Sequence, residues 1–428
     1  MLAINGGKPS REKLFPAYVT IGEEEKKAVC DVIDTGCLSQ YLGAWHDQFN
    51  GGEQVRLFEE EWAQYFGVKH AIVVNSNTSG LYCAVGSTGI EPGEEVIVSP
   101  YSMCASATAP LVYNAIPVFA DIEPDYYCID PKEIEKKITK KTRAIIVVDL
   151  FGQPYNADLI NKIARKHNLI VIEDCAQAPG ATLDGKVAGT LGDIGIFSLN
   201  YHKHIHSGEG GVIVTNNDEL ANKCRLIRNH AEAVVEGMQH TDLVNMIGFN
   251  YRMTEIDAAI GRIQLKKLSK LNKKRLANVR YFEERFSSFE YISMPKVREG
   301  ASHAYYTHAC KFNEELAGIH RNKFFEAVRA ELPCFHLREK EGVKLSSGYV
   351  KPLYLQPIFQ KKIAYGSNGY PFSESNVNYD KGICPVAEKM HYSELFSHEF
   401  ILPSMEFNDI DDVAIAFEKV WNNRDSLI

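Results

Sequence analysis

Two short segments of this 428-residue chain concentrate side chains able to do covalent and proton-transfer chemistry: IEDCAQAPGA (172–181) and FSLNYHKHIHSGEGG (197–211). In the first, Asp174 closes the apolar run NLIVIED. A carboxylate at the C-terminal end of a parallel strand stands where open α/β sheets meet their ligands. The same position also suits the N-cap of a following helix. In the second, Lys203 stands among Asn200, Tyr201, His202, His204 and His206. A lysine held among aromatic and polar groups releases its proton more readily, and the neutral amine forms an imine with a carbonyl. Taken alone, the position suits an exposed turn lysine better.

The same run admits a metal reading. His202, His204 and His206 alternate, and on a strand they would share one face as three imidazole ligands. The Gly-rich continuation argues against an extended strand, and no carboxylate precedes Glu209 in the run. SGEGG (207–211) has the composition of a phosphate-cradling loop but contains neither GK[ST] nor GxGxxG, so a tight turn between strands explains it as well.

These segments lie within alternating strand-like and helix-like stretches from about 55 to 215. Strands are expected at 70–75, 94–100, 116–122, 143–150, 168–174, 194–199 and 210–216, with helices at 79–86, 105–113, 131–138 and 157–167 between them. The pattern is that of an α/β fold with one large, mostly parallel sheet flanked by helices. A long helix, 254–286, carries Ile256, Ala259, Ile260 and Ile263 on one face and ends where SSFEYISMP breaks the period. We therefore divide the chain into a large domain with an N-terminal arm (1–285) and a smaller C-terminal α+β domain (286–428).

Composition narrows the function. The 47 Lys+Arg against 55 Asp+Glu give a net charge of −8, which argues against nucleic acid as a partner. No stretch approaches the roughly 18 apolar residues of a membrane span, so a cytoplasmic protein with no membrane association is expected. The ten cysteines are scattered without a CxxC pair, as expected of packed, reduced thiols.

The residues resemble the DegT/DnrJ/EryC1/StrS family of sugar aminotransferases, which use pyridoxal 5'-phosphate on the fold-type-I aspartate aminotransferase scaffold. The matching motifs are VVNSNTSGL (73–81), VIVSPYSMCAS (96–106), IPVFADIEPDYYCIDP (116–131), VVDLFGQP (147–154), EDCAQAPGA (173–181), FSLNYHKHIHSGEGGVIVTN (197–216), GFNYRMTEIDAAIGRIQL (248–265) and KPLYLQP (351–357). Their order and spacing cover nearly the whole chain.

The resemblance implies that Lys203 is the internal-aldimine lysine and proton shuttle and that Asp174 pairs with the pyridine nitrogen. It further implies that Gln177, one helical turn after Asp174, reaches the ring or its phenolic oxygen. Ser198, Asn77 and Thr78 would hold the phosphate, the latter two at a helix start. Asn250 would come from the partner subunit, making a homodimer with shared active sites. The register places Lys203, rather than His202, where the family's dehydratase branch has a histidine, so transamination through pyridoxamine phosphate is implied.

Three departures from the family pattern stand out. Met103 occupies the usual place of a ring-stacking aromatic, and a thioether packs more loosely on a π face. Asn77 stands where Gly is common, and asparagine tolerates a left-handed backbone. Asn200 and Tyr201 replace the usual residues before the lysine, at positions that bear on substrate choice.

Tyr201, His202, Tyr306, Lys311, Tyr349 and Tyr354 are the candidate substrate contacts. The expected substrates are glutamate or glutamine as donor and a keto-sugar, nucleotide-linked, for polysaccharide or secondary-metabolite assembly. A free cyclic ketone of the inosose type is the alternative acceptor. No metal is expected; a His-ligated hydrolase and a non-catalytic cofactor-binding regulator are the distant rivals.

Overall fold

All seven apolar runs form strands of one sheet in the computed structural model, which describes residues 1–427. They are β1 (His70–Val74), β2 (Glu95–Val98), β3 (Ile116–Phe119), β4 (Thr142–Val148), β5 (Ile170–Asp174), β6 (Ile194–Ser198) and β7 (Gly211–Thr215). The spatial order is β1-β7-β6-β5-β4-β2-β3. Pairing is parallel from β3 through β6, and β7 runs antiparallel to both of its neighbours. The loop 199–210 contains no crossover helix, so the chain returns beside β6 in the opposite direction. The strands are buried on both faces, as expected of a sheet covered by helices.

The helices around the sheet are α1 (Glu23–Asp34), α2 (Glu53–Phe66), α3 (Asn77–Ser87), α4 (Ala105–Val112), α5 (Pro131–Lys137), α6 (Ala157–His167), α7 (Asp218–Arg228) and α8 (Glu255–Arg285), of which α1 lies on α8 rather than on the strands. Helix α3 begins two residues before the expected start because the Ser76 hydroxyl accepts the Ser79 N–H at 3.1 Å, an N-cap. Its first turn lies directly against β7. A Cβ on Gly211 would stand 2.6 Å from the Ser76 carbonyl carbon and 2.7 Å from the Asn77 nitrogen, so only glycine permits this approach.

Beyond α8, the strands β8 (Ile292–Ser293), β9 (His308–Phe312), β10 (Leu345–Ser347) and β11 (Leu395–His398) form an antiparallel sheet in the order β8-β9-β11-β10. Helices α9 (Arg321–Glu331) and α10 (Phe407–Asn422) contribute to its core through Phe324, Val328, Val413 and Phe417.

The packing does not follow a single cut at residue 285. In the N-terminal arm, Leu2 and Phe15 join the core of this smaller sheet, and the buried Glu331 carboxylate accepts the Ala3 N–H (2.7 Å) and the Ser10 N–H (2.9 Å). Conversely, Leu353, Tyr354, Phe359, Phe372 and Tyr379 belong to the core of the large sheet. The Leu353 N–H donates to Pro100 O at 2.7 Å, and the Tyr379 hydroxyl to Pro117 O at 2.8 Å. This return carries Tyr349 to the C-terminal ends of the central strands.

Candidate active site

Strands β5 and β6 end side by side, and their C-terminal residues open into a cleft of about 260 Å³. It is lined by Ser76, Asn77 and Thr78 from the start of α3, Ser102, Met103 and Ala105 before and within α4, and Asp174, Ala176 and Gln177 after β5. Ser198, Asn200, His202, Lys203 and Glu209 enter from the loop after β6, with Tyr306 and Tyr349 from the chain beyond α8. Thus ten of the fourteen residues singled out from the sequence as cofactor or substrate contacts line one cleft, and Tyr201, Asn250, Lys311 and Tyr354 do not. A cleft of about 400 Å³ lined by Trp45, Glu59 and Arg225 holds no comparable pair of lysine and buried carboxylate.

Lys203 is fixed at its backbone by an N–H donated to Asn200 O at 2.9 Å, and its Nζ lies 4.2 Å from the centroid of the Tyr306 ring. Burial lowers its ammonium to about 8, and the charge of Asp174 offsets part of that shift. Roughly a tenth of the amine is then neutral at pH 7, far more than for an ordinary lysine, and the neutral form is the state required of a nucleophile.

Asp174 is only 4% exposed. Its Oδ2 accepts the Ser106 hydroxyl at 2.7 Å, and its Oδ1 accepts the Ala176 N–H at 3.2 Å and the Asn77 amide at 3.4 Å. Burial raises this carboxyl, whereas these hydrogen bonds and the Lys203 charge act to keep it ionised. The segment after it is a series of turns rather than a helix, so Asp174 caps none and Gln177 is not one helical turn on. Gln177 instead accepts the Phe151 N–H at 2.7 Å and donates to the Tyr349 hydroxyl at 3.1 Å.

Two readings of local geometry are corrected. Asn77 is the first residue of α3, outside the left-handed region, so its value is its amide, shared between Asp174 and Ile196 O (3.4 Å). Met103 is 54% exposed, and its Sδ accepts the Ala105 N–H at 3.1 Å, which holds the thioether at the head of α4. The side chain that the resemblance sets beside the cofactor ring is thus engaged with backbone.

The three histidines diverge because the loop after β6 coils. His204 is fully buried, with Nε2 donating to Ala304 O at 2.9 Å. His206 accepts the Gly208 N–H at Nδ1, 3.3 Å away. His202 lines the cleft, where burial and the Lys203 charge lower it to about 4. These environments do not converge on a common ligand position.

The remaining candidates point elsewhere. Tyr201 is 52% exposed, with its hydroxyl 3.3 Å from Glu341. Lys311 projects from β9 toward Asp125 (3.6 Å) and lines a different cleft with Ser293 and Lys389. Tyr354 is buried and bonds Glu388 through its hydroxyl. Asn250 is exposed; its carbonyl accepts the Asn75 amide at 3.4 Å and its side chain the Arg252 Nε at 2.8 Å. Sequence reasoning missed Ser76, Ser102, Ser106 and Glu209. The available signal was the cluster of serines in SPYSMCAS immediately after a strand.

These residues fit pyridoxal phosphate. A buried carboxylate stands ready for a ring nitrogen, a half-buried lysine of lowered pKa for an aldehyde, and a Ser/Thr-lined helix start for a phosphate. Fold and site together define the class: a fold-type-I, pyridoxal-phosphate-dependent transaminase.

Comparison with known proteins gives the family. The model of the DegT/DnrJ/EryC1/StrS aminotransferase family matches residues 21–395, and the chain belongs to that family. It is 40% identical over 291 residues to GDP-perosamine synthase of Caulobacter vibrioides, covering 67% of this chain and 77% of that protein. It is 30% identical over 435 residues to L-glutamine:2-deoxy-scyllo-inosose aminotransferase of Streptomyces kanamyceticus, covering 99% and 97%. Its fold is similar to the crystal structure of an aminotransferase from Psychrobacter cryohalolentis, with a TM-score of 0.79, 29% identity and coverage of 96% and 99%. The chain is a sugar aminotransferase. Among the described residues, no helix is long and apolar enough to cross a membrane.

Proposed function

We propose that this enzyme moves an amino group from L-glutamate or L-glutamine to a nucleotide-linked keto-sugar, in the cytoplasm, as a homodimer with shared active sites. The observation that carries this reading is the meeting of Lys203 and Asp174 in one cleft beside the start of α3. Pyridoxal phosphate supplies an electron sink that makes the proton α to nitrogen acidic. Asp174, buried, would pair as a carboxylate with a protonated ring nitrogen, with Ser106 and Asn77 orienting it. Lys203 Nζ would hold the cofactor's aldehyde in the resting enzyme and, as a free amine, would remove and return the proton at the reacting carbon. The N–H groups of Asn77 and Thr78, with the Ser198 hydroxyl, would bind the phosphate. His202, Tyr306 and Tyr349 bound the acceptor side, and Asn250 of the opposite protomer completes the phosphate site.

Similarity to GDP-perosamine synthase supports a nucleotide-linked acceptor. A second reading, a free cyclic ketone, is supported by the nearly end-to-end match with the inosose aminotransferase.

The test begins with an absorption spectrum of the purified protein before and after L-glutamate or L-glutamine. Loss of the visible band of the lysine-bound cofactor identifies the donor, and an unchanged band with both donors would sink the reading. Single turnover of the aminated enzyme with GDP-, dTDP- and free cyclic ketones then separates the two acceptors. Dimer sharing is tested by co-expressing Lys203→Ala with Asn250→Ala chains: mixed dimers regain one native site if Asn250 acts across the interface and stay inactive if it does not.

A further inference from the structure

Beneath the cleft, on the side of β5 away from the cofactor residues, two carboxyl groups share a fully buried position. Asp149 follows β4, Glu173 is the penultimate residue of β5, and Cys175 follows Asp174. One polar atom from each of the three lies within 4.8 Å of the others. Both acids are fully buried, and among the described residues neither forms an ion pair with lysine, arginine or histidine.

Their hydrogen bonds are unequal. Glu173 accepts three backbone N–H groups: Gly189 at 2.6 Å on Oε1, and Leu191 at 3.0 Å and Gly192 at 3.1 Å on Oε2. Such a cage of donors suits a carboxylate anion and leaves no place for a proton facing the backbone. Asp149 accepts only the Tyr155 N–H, at 2.9 Å on Oδ1, and its Oδ2 is buried without a partner. A buried ionised oxygen without a donor, beside a second anion, is costly. A proton on Oδ2 removes that cost, because a protonated carboxyl donates to a neighbouring carboxylate.

We infer that Asp149 is a neutral carboxylic acid that donates its Oδ2 proton to the Glu173 carboxylate, and that this one-proton pair positions Asp174. The connection to the site is direct: the Asp149 backbone N–H donates to Asp174 O at 3.1 Å, and Glu173 precedes Asp174 in β5. The groups facing Asp149 are Glu173, Cys175, Tyr155 and Cys128, none of which supplies a cation. Burial and the Glu173 charge push Asp149 well above the usual carboxyl range. Asp149 and Glu173 are positioning residues, and the inference is independent of which sugar the enzyme uses.

The sign of the pH effect follows. In the unfolded chain both acids lose their protons above about pH 4. The folded pair keeps one, so folding takes up a proton at neutral pH. The folding equilibrium constant therefore falls about tenfold per pH unit through this pair as pH rises above about 4.

The experiment uses the full-length holoenzyme and its Asp149→Asn and Glu173→Gln variants. Infrared spectra at pH 7 in H₂O and D₂O should show a protonated-carboxyl C=O band in the native protein that is missing from Asp149→Asn. Asparagine reproduces the neutral donor, so Asp149→Asn should fold, bind pyridoxal phosphate within about twofold of native, and lose the pair's share of the pH-dependent stability. Glutamine at 173 turns an NH₂ group toward backbone donors, so Glu173→Gln should have the lower thermal midpoint. Failure of Asp149→Asn to fold, an unaltered carboxyl band, or equal or reversed ranking of the two variants would overturn the assignment.

Discussion

Lys203 Nζ rests 4.2 Å from the centre of the Tyr306 ring, so the nucleophile from the large sheet is packed by a residue that lies beyond α8 in the chain. The contact contributes to the burial that lowers the amine, while the ring face attracts its charged form. Replacing Tyr306 by Phe keeps the face and should change kcat/KM by less than about threefold. Tyr306→Leu removes the face that favours the ammonium; the roughly 0.5–2 kcal/mol of a cation–π contact corresponds to a fall of about 0.4–1.5 pH units in the Lys203 titration, read from the pH dependence of the kinetics. Equal kinetics for the two variants would rule out a role for the ring face.

The lowered amine sets a pH profile. With Lys203 near 8 in the folded protein, the neutral fraction rises tenfold per pH unit below that value and levels off above it. The rate at which apoprotein takes up pyridoxal phosphate should follow the same curve. A rate still climbing steeply from pH 9 to 10 would contradict a half-buried, depressed lysine. Lys203→Ala should retain the fold and reduce transamination by at least 10²-fold.

Ser106 tests the hold on Asp174. Its hydroxyl makes the 2.7 Å bond to Oδ2, and a hydrogen bond to a charged group is worth about 1.5–3 kcal/mol. Ser106→Ala should therefore weaken pyridoxal phosphate binding at least tenfold, read by equilibrium dialysis. An unchanged dissociation constant would show that Asp174 is oriented without it.

Met103 presents the opposite case. Its thioether is engaged by the Ala105 N–H and more than half exposed, so a phenylalanine there has room to lie over the cleft. Met103→Phe should bind pyridoxal phosphate as tightly as the native enzyme or more tightly. Loss of cofactor would mean that the sulfur contact shapes the start of α4.

Lys311 projects away from the cleft toward Asp125, so Lys311→Ala should leave the KM for both substrates within about twofold. A large rise in KM for a phosphorylated acceptor would require this lysine to reach the substrate by another route.

By itself the sequence determined the seven strands, the helices α3 to α6 between them and the long α8, though not α1, α2 or α7, because burial on one or both faces writes a local period into the chain. It also located Asp174 at a strand end and Lys203 in the loop between a strand and a Gly-rich turn, since apolar runs stop where polar chemistry begins. Only the tertiary structure decided the rest. The antiparallel course of β7 depends on how the chain leaves β6, which residue types do not encode. The return of Leu353 and Tyr379 to the large sheet, and of Phe15 to the small one, depends on packing between segments far apart in sequence. So do the amide of Asn77 on Asp174, the sulfur of Met103 on backbone, and Lys311 facing outward. Local periodicity reports that a side chain is buried; which partner buries it is settled only when distant elements meet.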